Sequence, residues 1–186
     1  MKKILTLLAV TIAFTVSAQF NTNFGTESLN SNTIGFSNSA FGYQSLKFNT
    51  TGSDNTASGY KALYTNTEGS NNTAYGQQSL VTNTTGSFNT ASGAYSLSAN
   101  STGSNNTASG IFSLSSNTTG SYNTAFGYSA KASTGNAINQ TVIGCEATGQ
   151  ADNSVVLGNE HVTAVYMGED SGATVYAASF VGDGSQ

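Results

Sequence analysis

Apolar side chains are sparse along this chain, but they recur in fixed phase. Leucine stands at Leu29, Leu46, Leu63, Leu80, Leu97 and Leu114, and alanine at Ala40, Ala57, Ala74, Ala91, Ala108 and Ala125, each column with a step of 17 residues. Polar positions keep the same step. Asn32, Asn49, Asn66, Asn83, Asn100 and Asn117 form one asparagine column, and Asn38, Asn55, Asn72, Asn89, Asn106 and Asn123 a second. Two glycine series complete the unit, one through Gly25, Gly42, Gly59, Gly76, Gly93, Gly110, Gly127 and Gly144, the other through Gly35, Gly52, Gly69, Gly86, Gly103 and Gly120. The residues between the columns diverge, as Tyr60, Gln77, Ala94 and Ile111 do after successive glycines. A flexible linker has no reason to hold columns in phase while its other positions drift, so the pattern marks a stacked repeat.

Seventeen residues are too few for a helical hairpin repeat, and glycine and asparagine at this density oppose helix. The pattern predicts an all-β chain, a parallel β-solenoid of 17-residue coils. Within each coil it predicts a short strand through N-T-A-x-G and a second strand near the S-L pair. The turn falls at N-T-T-G-S, with its glycine at positive φ and its asparagine bonding the turn backbone. Stacked coils place like residues over like about 4.8 Å apart, so eight steps make a rod of roughly 40 Å. A buried leucine contributes about 1.5–3 kcal/mol, whereas ordering the backbone costs about 1–2 kcal/mol per residue. One coil cannot stand alone, and the stack gains from burying a further face against other chains. From pattern alone the alanine column fits either the interior or an interchain face.

After Gly127 the unit changes. The step from Gly144 to Gly158 is 14 residues, and the strand text becomes more apolar in QTVIG (140–144), NSVVLG (153–158) and AVYMG (164–168), which predicts deeper burial. The expected organisation is a signal peptide over 1–18, repeats over 19–136, degenerate closing coils over 137–168 and a tail over 169–186.

NTAFG (123–127), TVIG (141–144) and NSVVLG (153–158) resemble the N-S-V-A-I-G type motif of YadA-like trimeric autotransporter adhesin heads, and the 14-residue step matches the usual head repeat. The resemblance covers about residues 21–168. It implies a left-handed parallel β-roll, side-by-side association as a homotrimer, and contact with extracellular matrix or host surfaces. The N-T-A-x-G and T-T-G-S repeats also look like those of some bacteriophage tail fibres and large bacterial surface proteins. A full trimeric autotransporter continues into a coiled-coil stalk and a membrane β-barrel. Neither is evident before Gln186, so the expectation is a secreted head or a truncated gene product.

The N-terminal text, MKKILTLLAVTIAFTVSAQF, has a basic start at Lys2 and Lys3, an apolar run from Ile4 to Val16 and a small-residue cleavage pattern at Val16-Ser17-Ala18. It reads as a bacterial secretory signal rather than a membrane span, with Gln19 as the first mature residue. Its removal leaves Lys47, Lys61 and Lys131 against nine acids with no arginine, a balance that disfavours nucleic acid as a partner. Six of those acids (Glu146, Asp152, Glu160, Glu169, Asp170 and Asp183) lie in the last quarter.

Candidate chemistry is thin. His161 is the only histidine and lacks the partners of a zinc site, so a solvent-facing turn residue is expected. Cys145, the only cysteine, is expected as a small buried residue. No G-x-S-x-G, Walker A or calcium nonapeptide motif is present. The sequons at Asn49, Asn71, Asn83, Asn100, Asn105 and Asn117 follow from the repeat. Phe41, Tyr75 and Phe126 precede first-series glycines where other coils have serine, which predicts a half-exposed edge.

The residues singled out are therefore structural, Gly42, Gly59, Gly76, Gly93, Gly110 and Gly127 with Leu46, Leu63, Leu80, Leu97 and Leu114. No catalytic, metal or cofactor group is expected. The function expected is a secreted or cell-surface adhesin-like protein acting by multivalent contact with a surface ligand. The alternatives are an ice-binding solenoid, suggested by the threonine column Thr56, Thr73, Thr90, Thr107 and Thr124, and a tail-fibre-like fragment.

Overall fold

A computed structural model describes residues 20–163, so the signal segment, the AVYMG window and the tail lie outside the described residues. Nine three-residue strands follow one another: β1 (Thr22–Phe24), β2 (Ser39–Phe41), β3 (Thr56–Ser58), β4 (Thr73–Tyr75), β5 (Thr90–Ser92), β6 (Thr107–Ser109), β7 (Thr124–Phe126), β8 (Thr141–Ile143) and β9 (Val155–Leu157). They pair in parallel, each with the next in the chain, as one sheet. The pairing is in strict repeat register, Thr56 opposite Thr73, Ala57 opposite Ala74 and Ser58 opposite Tyr75. The chain is thus a parallel β-solenoid whose steps are 17 residues from β1 to β8 and 14 from β8 to β9.

From β2 to β8 each strand has its middle residue buried and its outer two facing out, as the period-2 geometry of a strand requires, whereas β1 at the open end is exposed throughout and Val156 in β9 is half-buried. Ala40, Ala57, Ala74, Ala91, Ala108 and Ala125 are completely buried within the single chain, which places the alanine column in the interior. The leucines of the second apolar column meet them there, Leu46, Leu63, Leu80 and Leu97 with no exposure and Leu114 nearly so.

The leucines reach the core from a turn, and not from the second strand expected near the S-L pair. Leu46, Leu63, Leu80, Leu97 and Leu114 have φ between 48° and 50°, in the left-handed region that sterics disfavour for a branched side chain. That conformation turns the backbone back over the strand while dropping the side chain inward. Coil-to-coil bonds still run through it, from Leu46 N to the Ala62 carbonyl at 3.0 Å and from Leu80 N to the Ser96 carbonyl at 3.0 Å.

The positive φ expected of the N-T-T-G-S glycines falls instead on the other glycine series. Positive φ belongs to the series that closes the strands, as at Gly93 with φ 136°, where a Cβ would stand 2.5 Å from the Gly110 carbonyl oxygen. The N-T-T-G-S glycines lack positive φ and are needed for space. A Cβ on Gly86 would overlap the Gly103 carbonyl oxygen and stand 2.5 Å from the Asn83 Oδ1.

Asparagine supplies the rest of the interior. Asn83 Nδ2 donates to Asn66 Oδ1 at 2.8 Å and to the Gly86 carbonyl at 2.9 Å, while its Oδ1 accepts from Asn100 Nδ2 at 2.8 Å. The second ladder joins side chain to backbone, with Asn89 N donating to Asn72 Oδ1 at 3.0 Å and Asn89 Nδ2 reaching the Gly103 carbonyl at 2.9 Å. Among the described residues no buried side-chain nitrogen or oxygen lacks a partner. The wholly buried sequon positions Asn83 and Asn100 belong to these ladders.

The closing coils drop the pattern in physical steps. Lys131 and Thr134 stand where the leucine and first asparagine columns would continue. Gln140 replaces the second asparagine. Its N–H still bonds Asn123 Oδ1 at 3.0 Å, but its longer amide reaches sideways to Ser133, with Nε2 donating to Oγ at 2.6 Å. The depth expected of NSVVLG is not found. Val155 and Leu157 take the outward positions of β9 and are exposed, because strand alternation, and not hydrophobicity, decides which way they point.

Candidate binding face

The scaffold residues chosen from the sequence fall in two places, Gly42 to Gly127 at the partly exposed strand exits and Leu46 to Leu114 in the core, and there they shape the coil. What the coil presents is set by the residues around them. The first strand position makes an outward threonine column, Thr56, Thr73, Thr90, Thr107, Thr124 and Thr141. The third makes a mixed column in which Phe41, Tyr75 and Phe126 are 43%, 51% and 46% exposed, the half-exposed edge expected.

Beyond each strand the chain turns at the first-series glycine, and the two residues that follow form an outward corner. Hydrogen bonds hold successive corners in register, from Gly59 N to the Phe41 carbonyl at 2.8 Å and from Lys61 N to the Tyr43 carbonyl at 2.9 Å. Aromatic rings collect there. Tyr43 stacks on Tyr60 with centroids 5.6 Å apart and planes 12° apart. Further along, Tyr95 stacks on Phe112 at 5.2 Å, Phe112 meets Tyr128 edge-on at 6.4 Å, and Gln77 Nε2 bonds the Tyr95 hydroxyl at 3.2 Å. Stacked and edge-on pairs of this kind are worth about 0.5–1.5 kcal/mol each beyond their burial.

Next to the first stack lie Lys47 and Lys61, two of the three lysines among the described residues. Lys61 Nζ is 5.3 Å from the Tyr60 ring centroid and 5.1 Å from that of Tyr64. Tyr64 meets Phe48 edge-on at 5.0 Å, and Lys47 Nζ lies 5.4 Å from the Phe48 centroid. Lys47 pairs with Glu27 at 2.6 Å. The hydrogen bond from Lys47, then that from Gln44, holds the Glu27 carboxyl below its ordinary range, and the same pair raises Lys47. Among the described residues, Lys61 has no carboxylate partner.

The residues considered for chemistry fall elsewhere. Cys145 is exposed and not buried, because it occupies the outward corner column held by Tyr43, Tyr60 and Tyr128 in earlier coils. His161 faces solvent, 3.8 Å from Glu160, as expected of a turn residue. An open hollow of about 480 Å³ beside it is lined by Glu146, Gln150, Val156, Asn159 and Glu160 at the last described coil. No group of three or more histidine, cysteine, aspartate or glutamate side chains comes together among the described residues. Nor is any helix there long and apolar enough to cross a membrane.

The corner stripe was missed in the sequence because its positions vary and entered the consensus as blanks. The available signal was phase, since Tyr43, Tyr60, Tyr95, Phe112 and Tyr128 all fall one or two residues after a first-series glycine. No protein-family model matches the chain, and no curated protein or solved structure matches it either.

Proposed function

We propose that the chain is a non-enzymatic binding rod, secreted or held on the outer surface of a bacterium, that acts as an adhesin-like homotrimer. The observation that carries this reading is the aligned, half-exposed aromatic corner on a coil whose buried side-chain polar atoms, among the described residues, are all internally partnered. Exposed apolar clusters rimmed by polar residues mark interaction surfaces. A solenoid repeats such a cluster along its length, and three copies multiply it again, so weak contacts combine through high effective concentration. The outward apolar residues near the end of the stack, Phe126, Ile143 and Leu157, supply surface for burial between copies. The N-terminal signal-like text supports export.

Sedimentation of residues 19–186 tests the assembly: a native mass of three chains is expected, and a monomer rejects the trimer. Beads coated with the protein test the adhesion, since replacing Tyr95 and Phe112 by serine is expected to lower their retention on an extracellular-matrix surface severalfold while leaving the circular dichroism unchanged.

One observation favours ice binding as a second reading. The threonine column from Thr56 to Thr141 points outward in register, at the regular strand spacing of about 4.8 Å. Its hydroxyls stay outside the intercoil bonds that occupy the turn threonines, such as Thr50 Oγ1 to the Thr67 carbonyl. The flanking Tyr75 and Phe126 interrupt a flat face, which ranks this reading second. Thermal hysteresis above a buffer control would reverse that order.

A further inference from the structure

We propose that the corner formed by Tyr43, Tyr60, Lys61 and Tyr64 is a subsite for an extended polysaccharide bearing carboxylates, a uronate-type chain. This assignment rests on the binding-rod reading and names its ligand class.

The corner combines three features that such a ligand needs. Its rings are half-exposed, Tyr43 and Tyr60 at 44% and 45%, and because they stack on each other they present ring edges and hydroxyls outward, which suits apolar and hydrogen-bonding contact with a sugar. Between two of the rings sits the Lys61 ammonium, held near Tyr60 and Tyr64 and without a carboxylate partner among the described residues. A carboxylate completes it with a charge-assisted hydrogen bond, which is stronger than a neutral one. Finally, the Tyr43 and Tyr60 corners belong to adjacent coils about 4.8 Å apart, a span of the size of one sugar residue, so neighbouring sugars of an extended chain meet both corners before the column changes to Gln77.

The acidity of the chain does not oppose this placement. Glu27, the carboxylate nearest in the stack, is already neutralised by Lys47. Asp54 and Glu68 belong to the other bend of the coil. Glu146 lies five coils on from Lys61, roughly 24 Å, beyond the Debye length of about 8 Å at physiological salt. A protein partner would bury a broad face, whereas this feature is a narrow stripe with one cation, which a linear glycan fits better.

Affinity electrophoresis of the mature protein in native gels containing polygalacturonate tests the assignment, with a neutral β-glucan gel beside it. The expected result is retardation by polygalacturonate alone, weakened about tenfold in Lys61→Gln and severalfold in Tyr60→Ala, but not in Lys131→Gln. Tyr60 and Lys131 are exposed and Lys61 is partly exposed, and unchanged circular dichroism verifies the fold of each variant. Migration unaffected by polygalacturonate overturns the proposal, as does equal retardation of Lys61→Gln or equal retardation by the neutral glucan. Sedimentation of the same sample separates the two readings. A trimer without retardation overturns the glycan subsite alone, and a retarded monomer overturns the trimer alone.

Discussion

Leucine in the left-handed region is the costliest local choice in this coil, and burial is what offsets it. The conformation costs about 1–2 kcal/mol for a residue with a Cβ, while fully burying the side chain contributes about 1.5–3 kcal/mol. Leu80, with φ 50° and no exposure, balances both terms. Truncation separates them. Leu80→Ala keeps the Cβ strain and loses the packing, so a loss of about 2–5 kcal/mol is expected in urea unfolding. Leu80→Gly loses the same packing but relieves the strain. Glycine is ordinarily less stable than alanine by about 0.5–1 kcal/mol, and here that order is expected to vanish or invert. An L80G midpoint lower than that of L80A by the ordinary margin would show that the left-handed turn is not held in solution.

The asparagine ladder makes each coil depend on its neighbours through hydrogen bonds that water cannot replace. Asn83 donates twice and accepts once, so each substitution at it breaks named bonds. Asn83→Ala leaves Asn66 Oδ1 buried without its donor, at a cost of about 1–3 kcal/mol. Asn83→Asp adds a pH dependence whose sign follows from the geometry. An ionised carboxylate still accepts from Asn100 but confronts Asn66 Oδ1 and the Gly86 carbonyl with no hydrogen, whereas the protonated acid donates one. The folded pKa therefore rises above the unfolded value of about 3.9. The folded state then binds more protons, and stability falls as pH rises above about 4 until the folded pKa is passed. N83D is expected to melt higher at pH 4 than at pH 7, with N83A showing no such difference. At this scale the sequence was legible where an interaction recurs in every coil: the strand, the ladders and the alanine column all follow from phase. It was silent on backbone angle, because a leucine entering the core from a turn has the same period as one in a strand. It could not separate the two glycine series either, since Gly93 and Gly86 both exclude a Cβ, one through φ and the other through the next coil's carbonyl. The corner stripe stayed hidden because its positions vary from coil to coil while the scaffold positions do not.

Across the whole molecule, stability is a sum over coils and the contacts between neighbours, the one-dimensional behaviour of a repeat array. Within the 17-residue array the intercoil bonds recur with the period, as Leu63 N on the Ser79 carbonyl is followed by Leu80 N on the Ser96 carbonyl, and Asn89 N on Asn72 Oδ1 by Asn106 N on Asn89 Oδ1. Deleting residues 77–93 removes one whole period and joins Gly76 to Ala94, which brings Leu97 under the Leu63 column and Asn100 under Asn66. The shortened chain is expected to keep the β-type circular dichroism and cooperative melting of the parent, with a modestly lower midpoint from one fewer stacked interface. Deleting residues 77–92 instead leaves one residue too many, and the consequence differs in kind. A slip of one residue turns the alanine position outward and a threonine inward, because side chains alternate along a strand. It also moves Leu97 off the left-handed turn position, beneath a coil whose glycines leave no room for a Cβ. The second deletion is expected to lose amide-exchange protection on both sides of the junction while the first keeps it. Equal protection in the two would mean that single coils accommodate an extra residue, and that the columns are a record of duplication instead of a requirement of the stack.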